Sequence, residues 1–137
     1  MLTALFILLI ISLVLILFYI YYRRKAAAVL MGLRAEMRMD GKILLEPVPA
    51  SYRGAEKYYT KVKNTGFIGL TENKLYFRPI IMKPSIDIDI DSIVSVESSR
   101  HFLSNYNARH TVIIHTADNV LGFIVSDYTE LVNLLSD

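Results

Sequence analysis

The most prominent pattern in the chain is an uninterrupted apolar segment at its N-terminus. From Leu2 to Tyr22 no side chain is charged, and only Thr3 and Ser12 interrupt a run of aliphatic and aromatic residues. In a helix, which rises about 1.5 Å per residue, this segment is about 30 Å long and matches the hydrocarbon thickness of a bilayer. The pattern therefore predicts one transmembrane helix.

Two other kinds of segment have a similar pattern, namely a cleaved signal peptide and a buried core helix. A signal peptide has basic residues before a shorter apolar stretch of about 7 to 15 residues, whereas here the basic residues follow the stretch, at 23–25. A core helix this apolar would need more surrounding protein than the rest of the chain offers. We therefore expect a permanent anchor at residues 1–25.

The charges that flank this segment predict its orientation. Arg23, Arg24 and Lys25 lie just past the apolar run, and basic residues beside a span are retained on the cytoplasmic side. The prediction is a single-pass protein of the plasma or inner cell membrane, with its N-terminus outside and its C-terminal domain in the cytoplasm. The absence of cysteine agrees with a reducing compartment.

Residues 26–42 are rich in helix-forming residues and end with a stop signal at Gly41, so they predict a helical stalk. Apolar residues recur in this stalk at spacings of four, three and four. They are Ala26, Leu30, Leu33 and Met37. We expect this stripe to rest on the protein's own domain; the alternative is that two stalks pair through it and form a homodimer.

After Gly41 the pattern changes to the alternation of short strands separated by turn residues. The clearest hairpin has its turn at Glu72-Asn73, and in the segment Ser85–Asp91 isoleucine alternates with aspartate. The other turn candidate is Asp118-Asn119. The predicted strands are Ile43–Val48 (ended by Pro47 and Pro49), Gly66–Thr71, Lys74–Pro79, Ser85–Asp91, Ile93–Ser98, Thr111–Thr116 and Val120–Val125.

A helix with one apolar face is predicted at the C-terminus. Asp127 and Glu130 have the spacing of a capping box, and leucine and valine then form a single stripe from residue 131 to residue 135. Residues 43–137 thus predict an α+β domain of about seven antiparallel strands closed by a helix.

This order of elements is similar to the pleckstrin-homology-like superfold in its GRAM-type and bacterial variants. The segments that carry the resemblance are Gly66–Phe77, Ile86–Glu97 and Phe123–Val132. The resemblance covers residues 43–137 and implies a barrel of two orthogonally packed sheets capped by the C-terminal helix. It also implies a platform that binds lipid headgroups or proteins, although a fold does not fix a function.

In members of that superfold that bind phosphoinositides, basic residues of the first two strands and their loop hold the phosphates. The corresponding stretch here, Ser51 to Thr65, matches that pattern only at Lys61-Val-Lys63 and lacks the expected arginine. The resemblance therefore implies non-specific attraction to an anionic surface, and a merely solvated loop is the alternative. The candidate residues are Arg23, Arg24, Lys25, Arg53, Lys57, Lys61, Lys63 and Arg78.

The distribution of charge along the chain also favours attraction to an anionic surface. Residues 23–63 contain ten basic and four acidic residues, whereas residues 64–137 contain five basic and nine acidic ones. The basic part is the one next to the span. A flank of this sign also arises from membrane topology alone, so it does not by itself establish a ligand.

A second candidate contact is the loop between Pro79 and Pro84. Three apolar residues, Ile80, Ile81 and Met82, lie in it. At an exposed tip they would touch lipid or a partner protein. The alternative is that they pack over the end of the barrel.

Catalytic and metal-binding patterns are weak. The aspartates at 87, 89 and 91 lie on one face of a straight strand, about 7 Å apart, without the loop that would wrap a calcium ion. No nucleophile turn, phosphate loop or zinc motif is present in the sequence. We expect a non-catalytic module without cofactor, metal or nucleic-acid partner. It would act as an adaptor or accessory subunit through protein contacts, or alternatively bind anionic lipid at the cytoplasmic surface.

Overall fold

The computed structural model describes residues 1–59, 63–81, 85–103 and 105–136. The apolar segment and the stalk form one continuous helix, which is followed by seven strands and a short C-terminal helix. The elements are α1 Leu2–Asp40, β1 Ile43–Ala55, β2 Asn64–Thr71, β3 Lys74–Pro79, β4 Ile86–Asp89, a 3₁₀ turn Ile90–Ser92, β5 Ile93–Phe102, β6 Asn105–Thr116, β7 Val120–Val125 and α2 Tyr128–Ser136. The predicted fold class is confirmed.

The strands form one curled antiparallel sheet, a half-barrel, in the order β4-β3-β2-β1-β7-β6-β5. Tyr52 of β1, Phe77 of β3 and Phe123 of β7 meet inside it, with ring centroids 5.4 to 5.9 Å apart. These rings join the two halves of the sheet around one apolar core, which Leu131 of α2 also enters. The arrangement is compatible with the pleckstrin-homology-like fold that the resemblance implies.

The prediction that Pro47 and Pro49 end the first strand was wrong. Strand β1 continues through both prolines to Ala55, with register irregularities before Val48. Proline is tolerated because β7 pairs with β1 only from Ala50 onward. The first half of β1 therefore has a free edge, where a missing N–H costs no ladder hydrogen bond.

Most other strand predictions are confirmed, with longer elements where alternation is weak. The hairpin around Glu72 and Asn73 forms as predicted, as does β7. In β4 the isoleucines at 86 and 88 are buried while Asp87 and Asp89 are exposed, but the strand ends there and residues 90–92 form the 3₁₀ turn. Strands β5 and β6 extend beyond the predicted segments towards each other.

The C-terminal helix begins as the sequence predicts. The carboxylate of Asp127 accepts a hydrogen bond from the backbone N–H of Glu130 at 3.2 Å, which satisfies one of the free amides of the first turn. Leu131 of this helix is fully buried. The helix therefore closes the half-barrel on the side of β5 and β6.

Helix α1 combines the length and the composition of a membrane span. Its most apolar stretch has a mean hydropathy of 3.0, and none of that stretch is buried in the protein. An exposed apolar surface of this size is poorly compatible with water. The helix is thus long and apolar enough to cross a bilayer.

Candidate functional site

The C-terminal end of α1 packs onto the outer face of the sheet. Leu33 and Met37 are 1% and 0% exposed, and with Tyr76 they form a second apolar cluster beside the barrel core. Phe67 and Ile43 border this cluster. The expectation that the stalk rests on its own domain is confirmed. The two buried positions of the apolar stripe are covered by the sheet, so stalk pairing stays a prediction that rests on residues nearer the span.

A glycine makes the close approach of the stalk possible. A side chain at Gly69 of β2 would place its Cβ 2.5 Å from the Sδ atom of Met37. Because real Cβ atoms do not approach that closely, any larger residue at position 69 would displace the methionine. The missing side chain at Gly69 therefore leaves room for Met37 on the outer face of the sheet.

An ion-pair cluster holds the stalk beside the contact between Met37 and Gly69. The guanidinium of Arg78 donates hydrogen bonds to the Glu36 carboxylate of α1, at 2.7 and 3.3 Å, and to the Asp87 carboxylate of β4, at 2.7 Å. It also donates to the carbonyl of Ile86 at 3.3 Å. Burial alone would lower the pKa of Arg78, but the hydrogen bonds to Asp87 and Glu36 outweigh it and raise the pKa above its ordinary value. Arg78 thus joins the stalk, β3 and β4.

The end of the stalk is fixed by a second polar group. The Thr71 hydroxyl donates a hydrogen bond to the Asp40 carboxylate at 2.6 Å, and the Asn73 side-chain amide donates to the Asp40 carbonyl at 2.9 Å. The hydrogen bond from Thr71 is the main reason that the pKa of Asp40 lies below its ordinary value, and the hydroxyl of Tyr76 contributes as well. Asp40 thereby anchors the last turn of α1 to the β2–β3 hairpin.

The basic candidates predicted from the sequence lie in three places. Arg23, Arg24 and Lys25 are exposed on α1, while Arg53 is half-buried in β1. Lys57 and Lys63 are exposed in the connection between β1 and β2, and Lys61 lies outside the described residues. The guanidinium of Arg78 is already bound to two carboxylates, those of Glu36 and Asp87.

Side-chain hydrogen bonds fix the start of the β1–β2 connection. The backbone N–H of Lys57 donates to the side-chain oxygen of Asn119 at 2.8 Å, and the Asn119 amide donates to the Lys57 carbonyl at 2.7 Å. Asn119 belongs to the turn between β6 and β7. These hydrogen bonds therefore fix the backbone that carries the exposed side chain of Lys57.

The apolar loop after β3 is only partly accessible. Ile80 is 6% exposed, and its N–H donates to the carbonyl of Thr65 at 3.1 Å. Ile81 is half-buried, and Met82 lies outside the described residues. Ile80 therefore has little surface left for a contact with lipid or a partner protein, and the contact of the loop as a whole stays a prediction.

Strand β5 forms the longer free edge of the sheet. It has ten residues and contains no proline, and among the strands that the structure describes it pairs only with β6. Between its first residues and α2 lies a cleft of about 460 Å³. Aliphatic side chains and two serines line this cleft. They are Ile90, Ile93, Val94, Val96 and Leu135, with Ser95 and Ser136.

Two other clefts lie away from this edge. One of about 320 Å³ lies between β4, Tyr58 and the β6–β7 turn, and carboxylates of Asp89 and Asp118 line it. Another of about 350 Å³ is lined by His110, which stacks on Tyr128 with the ring centroids 4.7 Å apart. In the described part of the chain, no three side chains of the types that bind metals are grouped closely enough to hold an ion.

Sequence reasoning missed the residues that hold the stalk: Glu36, Asp40, Thr71 and Tyr76. The available signal was the position of Glu36 between Leu33 and Met37 on the helix, which places its carboxylate at the border of the buried stripe, where a cation of the sheet can reach it. The partner, Arg78, is 42 residues away, and its place beside the stalk depends on the sheet register.

No protein-family model matches the chain, and no curated protein or solved structure is significantly similar to it.

Proposed function

We propose that the chain is a membrane-tethered, non-catalytic interaction module with its domain in the cytoplasm. Its role is that of an adaptor or accessory subunit, and it binds a partner protein that adds an extended segment to the free edge of β5. The observation that carries the proposal is the ten-residue edge strand with a cleft beside it. Unpaired backbone groups on an edge provide the affinity in this mode, and a neighbouring cleft provides the specificity.

The middle of β5 is suited to strand addition. From Ser95 to Ser99 it pairs regularly with β6, and irregularities occur only at its two ends. Val94, at the start of the strand, is 70% exposed beside the cleft. An incoming segment with an apolar residue at this point would bury both Val94 and the cleft.

The competing surfaces are less open. The other edge strand, β4, has four residues, and Arg78 covers the carbonyl of Ile86 at one end of it. The apolar loop after β3 has Ile80 buried. Among the surfaces that the structure describes, β5 therefore offers the longest unpaired backbone.

Membrane anchoring strengthens such a contact. A module held on a bilayer meets partners in the same membrane at a high effective concentration, so a weak strand-addition site suffices for association. The second candidate function is binding to anionic lipid. It is favoured by a different observation, the exposed basic residues Arg23, Arg24 and Lys25 that follow the apolar stretch of α1.

Photocrosslinking in native membranes tests the proposal. A photoreactive residue at position 94 should give one defined protein adduct, and the same residue at position 72, on the exposed β2–β3 turn, should not. When the photoreactive residue is placed at position 98 instead, the substitution Val94→Asp should strongly weaken the adduct with the partner protein. Equal adducts at 94 and 72, or an adduct unaffected by Val94→Asp, would show that β5 is not the binding edge.

A further inference from the structure

The cleft beside His110 lies between strand β6, the end of β7 and the start of α2. Its volume is about 350 Å³. Helix α2 lines it with Tyr128, its first residue, and lines the cleft beside β5 with Leu135 and Ser136 of its last turn. The two clefts are therefore separate places on the domain. The residues that line the first one, called the β6–α2 cleft below, are Arg109, His110, Val125, Ser126 and Tyr128.

Two stacked rings form part of the lining of the β6–α2 cleft. The imidazole of His110 and the phenol ring of Tyr128 have their centroids 4.7 Å apart and their planes 21° apart. His110 belongs to β6 and Tyr128 to α2, so two elements of secondary structure hold the stack in place. This part of the cleft is therefore formed before any ligand binds.

The surroundings of His110 decide which of its ring nitrogens carries the proton. The Nδ1 atom is buried, and no described residue offers it a hydrogen bond, whereas Nε2 is not among the buried atoms without a partner. A neutral imidazole has one N–H donor and one bare acceptor nitrogen. Because a buried N–H without an acceptor is rarer and costlier than a buried bare acceptor, the proton belongs on Nε2. His110 therefore presents an N–H donor at Nε2.

The other polar groups of the cleft also favour an anion. Arg109 is exposed, and its guanidinium is a fork of N–H donors that fits a carboxylate or a phosphate. The hydroxyl of Ser126 is a further donor at the same cleft. Among the described residues that line the cleft, none is acidic. Asp127 and Glu130 line a different cavity, of about 100 Å³, and the carboxylate of Asp127 already accepts the N–H of Glu130.

The size of the cleft indicates a ligand larger than an inorganic ion. Pockets for small molecules have volumes of about 300 to 1,000 Å³ and combine apolar walls with a few polar groups. The β6–α2 cleft lies at the lower end of that range, and a bare phosphate or acetate would leave much of it empty. Val125 and the rings of His110 and Tyr128 provide apolar surface for the rest of a ligand.

We propose that the β6–α2 cleft binds a small organic anion. Its carboxylate or phosphate group is held by the guanidinium of Arg109 and the Nε2–H group of His110, and its apolar body rests against Val125 and Tyr128. The site is additional to the proposed protein contact at β5. Carboxylates and phosphates share the chemistry that these donors recognise, and a comparison of two probes separates them.

The three histidines of the chain allow a direct test by NMR. The full-length protein, with ¹³C at the histidine Cε1 atoms, is reconstituted into phosphatidylcholine nanodiscs and titrated with benzoate, with phenyl phosphate and with benzamide, the neutral analogue of benzoate. At least one of the two anions should shift the signal of His110 several-fold more than those of His101, which stacks on Tyr106, and His115, which pairs with Glu97. Benzamide should shift none of them strongly. Similar shifts at all three histidines, or an equal response to benzamide, would overturn the proposal.

Replacement of the arginine tests which group binds the anion. Arg109→Gln should weaken binding of the effective probe about tenfold or more, because it removes a hydrogen bond between two charged groups. Arg34→Gln, at an exposed arginine of α1, is the matched control and should leave binding unchanged. Unchanged signals of His101 and His115 in the variant verify that the fold is intact. If they move, Arg109→Lys, which keeps the charge without the fork, takes its place and should also bind more weakly than the wild type. Wild-type affinity in the folded Arg109 variant would overturn the site.

Discussion

Replacement of Met37 by alanine tests whether the stalk is part of the folded domain. Met37 is completely buried between α1 and the sheet, whereas Met39, two residues later on the same helix, is 90% exposed. Truncation of a buried methionine costs about 2 to 5 kcal/mol. Because this cluster is small and lies at the edge of the core, we expect about 2 to 3 kcal/mol for Met37→Ala, the lower half of that range.

Pulse proteolysis in urea measures this cost for the membrane-embedded protein. With a urea slope of about 1.5 kcal/mol per molar, the unfolding midpoint of Met37→Ala should fall by roughly 1.3 to 2 M. Met39→Ala is the matched control and should shift the free energy of unfolding by no more than about 0.5 kcal/mol. Similar midpoints for the two variants would show that the stalk is not docked on the sheet in the membrane-embedded protein.

Two further predictions concern the polar groups that hold the stalk. Arg78→Gln should lower the urea midpoint more than Glu36→Gln, because Arg78 binds two carboxylates and a carbonyl. Loss of the partly exposed ion pair with Glu36 alone should cost about 1 kcal/mol or less. Equal effects of the two substitutions would contradict the shared role of Arg78. The pKa of Asp40 is lowered below 3.8 in the folded protein, so its stabilisation is present above that value and is lost as the pH falls through the folded pKa. The urea midpoints of the wild type and of Asp40→Asn should therefore differ at pH 7 and converge below pH 3.8, and a difference that is constant with pH would contradict this role.

The sequence predicts the elements of the fold because each depends on local periodicity. Alternation in Ile86–Asp89 and the turn at Glu72-Asn73 both need only neighbouring residues. The end of β1 was missed because the local rule for proline depends on whether a second strand pairs there, and β7 is more than 60 residues away in sequence. Pairing between distant strands decides such cases, and local composition does not contain that information.

The candidate site was harder to predict for the same reason. Arg78 looked like a basic residue available to lipid, but its two carboxylate partners come from α1 and β4 and meet only in the folded sheet. Leu33 and Met37 gave a correct signal, since an apolar stripe on an otherwise polar helix requires a partner surface. Which surface it meets, and in which direction the helix runs across it, follows only from the three-dimensional structure.

The most direct test of the proposed function is the topology of the chain in intact cells. The variant Glu72→Cys carries the only thiol of the chain, at an exposed position on the β2–β3 turn. Cells that express it are treated with a membrane-impermeant maleimide before and after permeabilisation. The proposal predicts that the chain fractionates with membranes after alkaline extraction, and that the introduced thiol is labelled only once the cells are permeabilised. Labelling in intact cells, or release of the chain by alkali, would contradict a membrane-anchored domain that faces the cytoplasm.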